Sequence, residues 1–314
     1  TPMRMRDSRR CSNKYVPAAK RNAAAKARST LPDIEQLILM VDPWTDLHTI
    51  ERRLYSLRRT LELLATRANL PLYIASMSCR TISYKGLMIS PILGDFYTDL
   101  TNESFETSFA IFHQRYSTNT LPSWHLAQPF RCVAHNGEIN TIGGNRLWAS
   151  IPGVMRDAPI WRDEDSRGEP LPVLPADGSD SACLDAALEL LVLSGRSLPH
   201  AMSMLIPSAP RTIEDFGDKL SAFYDYHACI NEPWDGPAAV VFGDGDIVGA
   251  TLDRNGLRGQ FLGGLLLGAV WSPCIGPTLG GAISLASQGE GLLRATAIMM
   301  FFAAGVSTLI LGLA

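Results

Sequence analysis

The sequence predicts an α+β domain followed by a two-helix transmembrane hairpin, and three observations support this prediction. An amphipathic helix follows Pro43, short apolar strands alternate with further helices, and two long uncharged runs end the chain. The runs cover 31 residues from Gly259 to Gly289 and then Ala295 to Ala314. Apolar runs of more than about 18 residues are typical of membrane spans. The chain therefore joins two physically different parts.

Charge is distributed unevenly along the chain. The 314 residues carry 28 basic and 31 acidic side chains, a net charge of −3, yet residues 1–30 contain nine Lys or Arg and one Asp. The remainder is acidic, which argues against nucleic-acid binding because phosphate recognition needs a basic face. We predict a basic, mobile tail over 1–30. The six cysteines are scattered and form no CxxC pair, so the sequence predicts no metal site.

The first elements of the soluble part follow from the spacing of apolar residues. Residues 33–41 predict a short buried element. Apolar residues that recur every three or four positions from Leu47 to Leu64 predict an amphipathic helix of four to five turns. Segments 71–78 and 80–89 are rich in residues that favour strands, and we expect them to pair or to lie side by side.

Two further strands are predicted within 108–118 and 130–139, and polar residues follow the apolar part of each. The polar side chains at the two strand ends would therefore lie close together. Residues Leu184–Leu193 predict a compact helix. The preceding Ser179, Asp180 and Ser181 can cap this helix, and the following Gly195 can end it. A further helix is predicted from Ser197, another within 213–227, and a β-hairpin over 237–253 that turns at Asp244 and Gly245.

Three short strings carry residues suited to chemistry: HQRYSTNT at 113–120, AHNGEINT at 134–141 and GSDSACLD at 178–185. Arg115 offers a planar, two-pronged donor for a carboxylate. Asn136 and the backbone N–H of Gly137 can direct two donors at a developing oxyanion. Asp180 can hold an ammonium group. Together they describe a pocket for an amino acid whose side-chain carbonyl is attacked.

Each of these residues also has a purely structural interpretation. Arg115 could form a structural ion pair, the Asn136–Gly137 pair could be a turn, and Asp180 could cap a helix. The sequence pattern alone leaves these alternatives open.

With their flanks, the strings resemble the class II glutamine amidotransferases. The similarity covers 31–258. It is most specific in FHQRYSTNTLPSWHLAQPFRCVAHNGEINTIGGNRLW, which looks like the amidotransferase domain of the glutamate synthase large subunit. The resemblance implies a four-layer αββα sandwich of the N-terminal-nucleophile type, incomplete at its start. Three domains are thus expected: a tail over 1–30, an amidotransferase domain over 31–258 and a membrane segment over 259–314.

The resemblance also assigns roles to individual residues. The matching arginine and aspartate of the family bind the α-carboxylate and α-amino group of glutamine, which points to Arg115 and Asp180, with Thr118 as a neighbouring contact. The matching Asn and Gly form the oxyanion hole, which points to Asn136 and Gly137 as the catalytic residues.

The implied activity is hydrolysis of glutamine to glutamate and ammonia, which would serve the amination of 2-oxoglutarate. The implied partners are glutamine and a glutamate synthase small subunit. Flavin and an iron–sulfur cluster are expected only in family domains absent from this chain, so no cofactor is expected within it. The resemblance implies a cytoplasmic location for the soluble part.

The nucleophile is where the chain departs from the family, whose enzymes attack with a cysteine at the first position of the mature chain. Here the sequence starts with Thr1, and Cys11 lacks the small, apolar continuation expected after a catalytic cysteine. Cys79, Cys132, Cys183 and Cys229 are expected to fill core space. We therefore expect this chain to be inactive as a glutaminase.

Residues 259–314 predict two membrane helices joined at a polar turn near Glu290, which would anchor the whole chain in a membrane. The string WSPCIGPTLG resembles the first span of the cytochrome c biogenesis and thiol-disulfide interchange family, which implies a redox thiol at Cys274. A membrane segment for thiol-disulfide electron transfer is therefore an alternative function. A third alternative is a chimeric chain with neither activity.

Overall fold

A computed structural model describes residues 13–14, 27, 29–39, 44–114, 122–151, 173–175, 177–208 and 217–253. All of these belong to the first of the two units into which the chain divides, Thr1–Gly256. Most of the predicted tail and the whole predicted membrane hairpin, 259–314, lie outside the described residues. Within the described residues, no helix is long and apolar enough to cross a bilayer. The hairpin and the domain boundaries stay predictions.

We number the described strands and helices in chain order. They are β1 (Asn13–Lys14), β2 (Glu35–Gln36), α1 (Leu47–Arg67), α2 (Leu93–Phe96), β3 (Val133–Gly137), α3 (Ile142–Ser150), α4 (Asp180–Leu193), α5 (Leu198–Leu205), α6 (Asp218–Ala228), β4 (Ala238–Gly243) and β5 (Val248–Leu252). Short 3₁₀ helices cover Ser90–Ile92, Thr98–Thr101 and Trp124–Leu126. The α+β fold class predicted from the sequence is confirmed.

Helix α1 confirms the amphipathic helix predicted after Pro43. Asp46 caps it, because its Oδ2 accepts the N–H of Thr49 at 2.9 Å. The buried face carries Ile50 and Leu54, and one turn further on it also carries Arg58, which was expected on another face. The chain leaves the helix through Asn69, which adopts a φ of 52°.

The main sheet is antiparallel with the strand order β3-β4-β5. Its register pairs Asn136 with Ala239 and Gly137 with Ala238, and the β4–β5 pair is the hairpin predicted at Asp244 and Gly245. The Asp244 carboxylate accepts the N–H groups of Asp246 and Ile247, and Gly245 has a φ of 99°. Glycine tolerates this conformation because it carries no Cβ.

One face of the sheet packs against α4, which is buried on almost all sides. A helix that is apolar all round belongs in a core, and Cys183, Leu184 and Leu188 have no exposed surface. Helix α4 begins at Asp180, four residues before the predicted start. Its N-cap is Ser179, whose hydroxyl accepts the N–H of Ala182, and Gly195 follows its end with a φ of 95°.

The opposite face of the sheet is apolar but largely uncovered in the described residues. Val241, Val248 and Leu252 are exposed there. Only one end is covered, since Phe109 and Ile111 lie so close to Gly243 that a Cβ there would be 3.2 and 3.1 Å from their side chains. An apolar face of this kind is suited to a second layer.

The strands predicted over 71–78 and 80–89 are wrong, although the two segments do lie side by side. Serine hydroxyls accept the backbone N–H groups that a ladder would use. Ser76 Oγ accepts the N–H of Ser83 at 3.1 Å, and Ser78 Oγ accepts those of Arg80 and Thr81. Side chains of this type compete with regular pairing.

Two other sequence predictions also need correction. The element predicted over 33–41 is not buried in its described part, 33–39, which holds only the two-residue strand β2. Leu37 and Ile38 there are 60% and 64% exposed. Since β2 pairs only with two residues of β1, nothing covers their side chains in the described residues. The strand predicted within 108–118 does not form over 108–114, and its remainder lies outside the described residues.

Buried charges join α1 to α4 and to the start of β3. Arg58 is almost fully buried and its Nη2 lies 2.5 Å from Glu189 Oε2. Arg131 Nη1 lies 3.8 Å from Asp185 Oδ2, and both side chains are mostly buried. Asp185 Oδ1 also accepts the backbone N–H groups of Cys132 and Val133. Burial raises the pKa of Asp185 despite the nearby Arg131.

A second apolar cluster surrounds a buried lysine. Phe96, Tyr97 and Trp124 form the cluster, with ring centroids 4.8 Å apart for Phe96 and Tyr97. Nearby, Lys85 Nζ donates to the carbonyls of Ala127 and Pro129 and lies 4.3 Å from the centre of the Phe130 ring. Burial lowers the pKa of Lys85 to about 7.

Candidate functional site

The backbone of β3 presents its N–H groups alternately to β4 and away from it. Glu138 donates to Pro237 O at 3.0 Å, and Cys132 O accepts from Gly243 at 2.8 Å, so the even-numbered positions face β4. Ala238, the register partner of Gly137, exchanges its hydrogen bonds with Asp253 instead. The N–H of Gly137 therefore points away from β4.

Side-chain oxygens accept hydrogen bonds from the other N–H groups on this edge of β3. Asp185 Oδ1 accepts the N–H of Val133 at 3.1 Å. The amide of Gln128 acts like a neighbouring strand: Oε1 accepts the N–H of His135 at 2.6 Å, and Nε2 donates to His135 O at 2.9 Å. The N–H of Gly137 has no acceptor among the described residues, so this donor remains available for a ligand.

The loop after β3 is held by a close crossing of two glycines. Gly137 has a φ of 139°, and a Cβ there would lie 1.9 Å from Pro237 O. Gly236 has a φ of 153°, and a Cβ there would lie 2.0 Å from Glu138 O. Neither position has room for a methyl group. The Asn136–Gly137 peptide is therefore more constrained than an ordinary turn.

Thr141 ties the same loop to the segment before β4. Its hydroxyl accepts the N–H of Asp235 at 2.9 Å and donates to Asn145 Oδ1 at 2.7 Å. The buried Asn145 amide donates in turn to the carbonyls of Glu232 and Pro233 at 3.2 and 3.1 Å. These groups satisfy one another's hydrogen-bonding needs, so the loop is held in place in the absence of a ligand.

Asp180 lies in the first turn of α4, where a negative charge is favoured by the helix dipole. Its Oδ2 accepts the N–H of Ile139 at 3.0 Å, and its Oδ1 accepts the N–H of Ser181 at 2.7 Å. About a fifth of the side chain, 20%, remains exposed. The carboxylate thus lies beside the loop that begins at Gly137, and it can receive a cation from solvent.

Of the predicted site residues, the described part of the chain thus places Asp180 beside the loop that follows Asn136 and Gly137. Asn136 lies on the uncovered face of the sheet, at the end of β3. Two others, Arg115 and Thr118, lie outside the described residues, and so does Cys274. Their predicted roles stay predictions.

His135 and Ser181 connect β3 to Asp180. His135 Nδ1 lies 2.7 Å from Ser181 Oγ, which in turn lies 3.2 Å from Asp180 Oδ1. His135 therefore acts as a local hydrogen-bonding group. Ser181 was expected only to cap the helix. The role of Gln128 was missed, because a glutamine before a proline carries no sequence signal for pairing with a strand.

Arg146 is a second residue that sequence reasoning missed. It follows the loop on α3, and its Nη2 donates to Gly178 O at 2.5 Å, two residues before Asp180. The helix after the loop therefore also holds the turn that leads to Asp180. The periodic position of Arg146 in α3 could have indicated a buried polar contact but not its partner.

Three of the four described cysteines are poorly suited to act as nucleophiles. Burial raises the pKa of both Cys132 and Cys183. Partial burial beside the Glu51 carboxylate raises the pKa of Cys79 to about 11. A thiol is reactive as its thiolate, which a raised pKa disfavours. The expectation that the cysteines fill core space holds for Cys183 but is wrong for Cys79 and Cys229, which are exposed.

The described part of the chain also contains a cavity. It measures about 1010 Å³ and is lined by residues within 80–93, 105–114 and 128–133, together with Leu100, Gly243 and Gly245. Neither Asn136 nor Gly137 nor Asp180 lines it. No three His, Cys, Asp or Glu side chains of the described residues cluster as metal ligands.

Comparison with known families and proteins gives consistent matches. The family model for glutamine amidotransferases class-II matches residues 3–261. A ferredoxin-dependent glutamate synthase of Pyropia yezoensis is 52% identical over 188 residues, which are 59% of this chain and 12% of that protein.

Two further relatives share more of the chain. The chloroplastic ferredoxin-dependent glutamate synthase of Oryza sativa subsp. japonica is 46% identical over 237 residues, 74% of this chain and 15% of that protein. The glutamate synthase [NADPH] large chain of Bacillus subtilis (strain 168) is 41% identical over 248 residues, 77% of this chain and 16% of that protein. The chain therefore spans between 12% and 16% of the length of these three relatives.

Proposed function

The chain belongs to the class-II glutamine amidotransferases, as a domain of glutamate synthase type, and from that premise we propose that the site at the end of β3 binds glutamine for hydrolysis to glutamate and ammonia. One observation carries the proposal. The Asp180 carboxylate accepts the N–H of Ile139, two residues from Gly137, whose own N–H points away from β4. A ligand ammonium acceptor and an oxyanion donor thus lie at one place.

Each end of glutamine then has a partner. Asp180 binds the α-ammonium group, because a carboxylate with exposed surface can form a charge-assisted hydrogen bond there. Arg115 binds the α-carboxylate, with Thr118 beside it, as the resemblance implies. With the ammonium and carboxylate groups of glutamine both bound, its side-chain amide can point toward the loop after β3.

The loop stabilises the negative charge that develops on the amide oxygen. When a nucleophile attacks the side-chain carbonyl, its oxygen gains charge, and the N–H of Gly137 with the Asn136 amide donates to it. The glycine crossing and the Thr141 contacts hold these donors in place before the ligand binds. Donors that need no reorganisation stabilise the transition state most effectively.

The attacking group is proposed to be a cysteine thiolate, as in the family. Cys79, Cys132 and Cys183 do not suit this role, since their pKa values are raised. The proposal places the thiolate outside the described residues. In the reaction it would add to the side-chain carbonyl, and collapse of the tetrahedral intermediate would release ammonia. Water would then hydrolyse the thioester to glutamate.

The fold proposed for this site is the four-layer αββα sandwich. In support, helix α4 covers one face of the β3-β4-β5 sheet, and the opposite face is apolar and exposed at Val241 and Leu252. Asn136 lies on that second face, so a second sheet stacked there would enclose its amide.

We further propose that the ammonia serves the amination of 2-oxoglutarate in a larger glutamate synthase. The matched relatives include a ferredoxin-dependent glutamate synthase and a glutamate synthase [NADPH] large chain. If this chain belongs to a large chain of that kind, a small subunit would be its partner. Flavin and an iron–sulfur cluster would lie in parts of such a protein that this chain does not match. The described residues contain no cluster of ligands that would hold an iron–sulfur centre.

Calorimetric titration of the full chain with glutamine tests the proposal. We expect saturable binding that is weakened at least about tenfold by Asp180→Asn, because a charged hydrogen bond to the ammonium group is lost. Asp177→Asn is the matched control: it removes an equal charge from an exposed residue in the segment before α4. Binding that is equally strong in both variants would contradict the assignment of Asp180.

A further inference from the structure

We propose that Ser181 and His135 are positioning residues that direct Asp180 Oδ2 at the ammonium group of the ligand. The inference rests on the proposed glutamine site and deepens it. It names the oxygen that receives the ligand and the two side chains that keep that oxygen available.

The hydrogen bonds at Asp180 distinguish its two oxygens. A carboxylate offers about four acceptor positions, two on each oxygen. Oδ1 receives two donors, the N–H of Ser181 at 2.7 Å and the Ser181 hydroxyl at 3.2 Å. Oδ2 receives one donor among the described residues, the N–H of Ile139 at 3.0 Å. The remaining acceptor position is therefore on Oδ2, where an ammonium group would bind.

This arrangement depends on the direction of the Ser181 hydroxyl, which has one proton and three polar neighbours. Its oxygen accepts a hydrogen bond from Gln128 Nε2 at 3.5 Å. The same oxygen lies 2.7 Å from His135 Nδ1 and 3.2 Å from Asp180 Oδ1. If Nδ1 carries a proton, His135 donates to Ser181 and Ser181 donates to Asp180. The opposite tautomer would turn the hydroxyl toward His135 and bring two oxygen lone pairs together. We assign the Nδ1–H tautomer from this pattern of donors and acceptors.

His135 is itself held firmly. Its side chain is almost fully buried, and both backbone groups are bound by the Gln128 amide. A chain of donors therefore runs from the fixed backbone of β3 through His135 and Ser181 to Oδ1. Without it, the Asp180 carboxylate could rotate, and ordering it again would weaken ligand binding.

A structural interpretation competes with this one: Ser181 and His135 could merely stabilise the start of α4. The two interpretations differ in their effect on ligands. A general loosening of α4 would weaken every ligand of the site, whereas loss of a positioning contact to Asp180 would weaken only ligands that carry an ammonium group.

The experiment therefore compares glutamine with glutaramic acid, its analogue without the α-amino group, by calorimetric titration of the full chain. The variants are Ser181→Ala, His135→Leu and His135→Asn, of which the last keeps an amide N–H near the position of Nδ1. Ser179→Ala is the matched control, because it removes the capping hydroxyl two residues away without removing a donor from Asp180. Circular dichroism verifies that each variant is folded.

We expect Ser181→Ala and His135→Leu to weaken glutamine binding about tenfold while leaving glutaramic acid binding unchanged. His135→Asn should restore most of the glutamine affinity. An equal loss for both ligands in Ser181→Ala, or a glutamine-selective loss in Ser179→Ala, would overturn the inference. If His135→Leu fails to fold, Ser181→Ala decides alone.

Failure of the proposed function gives a different result. If the unaltered chain binds neither ligand, or binds both equally, the glutamine site itself is wrong and the inference falls with it. If the unaltered chain prefers glutamine and Ser181→Ala keeps that full preference, only the positioning role is wrong.

Discussion

Asp180 and Asp185, on the same helix, accept backbone N–H groups from opposite ends of β3. Asp185 Oδ1 accepts those of Cys132 and Val133, and Asp180 Oδ2 accepts that of Ile139. Because both acceptors belong to one rigid element, α4 sets where the strand starts and where the loop after it begins. The position of the Gly137 N–H is thereby coupled to the helix that carries the ammonium acceptor.

Gly137→Ala tests the glycine crossing. The new Cβ would lie 1.9 Å from Pro237 O, and the φ of 139° is unfavourable for alanine. We expect a loss of at least about 2 kcal/mol in the free energy of unfolding, together with weaker glutamine binding. Urea denaturation measures the first and titration the second.

Gly143→Ala is the control for that substitution. Gly143 lies in α3, and a Cβ added there would have no atom within 4 Å outside its own helix turn. We expect the substitution to raise the free energy of unfolding by about 0.5–1 kcal/mol, because alanine favours a helix. Similar losses in both variants would show that the crossing is not the cause.

Thr141→Val tests the contact between the loop and the segment before β4. Valine keeps the shape of the side chain but leaves the N–H of Asp235 and Oδ1 of Asn145 without their partner. We expect a loss of about 1–3 kcal/mol in the free energy of unfolding. Thr251→Val on β5, whose hydroxyl contacts only a neighbouring carbonyl, should cost much less. Equal costs would argue against a special role for Thr141.

Arg58→Met tests the buried ion pair between α1 and α4. It would leave the Glu189 carboxylate without its charged partner at 2.5 Å, so we expect a loss of about 3–5 kcal/mol in the free energy of unfolding. Adding Glu189→Gln should recover part of this loss. As a control, Arg80→Met removes the partner of the exposed Asp246 and should cost at most about 1 kcal/mol.

Lys85 predicts a pH dependence of stability. Its pKa is about 7 in the folded protein and about 10.4 in the unfolded chain, so between these values the unfolded chain binds more protons. The free energy of unfolding should therefore rise with pH from 7 to 10, by up to about 1.4 kcal/mol per unit. Lys85→Met should remove this contribution, whereas Lys219→Met, at an exposed position, should retain it. An identical pH dependence in both variants would contradict the prediction.

The sequence correctly predicted those helices and strands whose apolar residues are spaced so that they face the core. Helix α4, strand β3 and the β4–β5 hairpin are of this kind, and they place Asp180 near Gly137. The segments 71–78 and 80–89 were mispredicted because composition favours a strand there, while Ser76 and Ser78 bind the backbone instead. Local composition does not show which side chain will capture an N–H group.

The sequence predicted which residues form the candidate site better than it predicted the contacts between them. Motif residues identified Asn136, Gly137 and Asp180, but the contacts around them also involve Gln128 and Arg146, which lie outside the three motif strings. Such contacts depend on how elements pack, and no periodicity in the sequence reports them.

The crossing of Gly137 with Gly236 has a consequence for the entropy of binding. The loop loses its backbone freedom when the protein folds, so a ligand that binds there should order little additional chain. Amide hydrogen exchange at 138–141, where every N–H has an acceptor, should consequently be slow before glutamine is added and change little afterwards. The selectivity of the site would then arise from contacts between the ligand and a rigid loop. The temperature dependence of its affinity would come mainly from desolvation of the ligand.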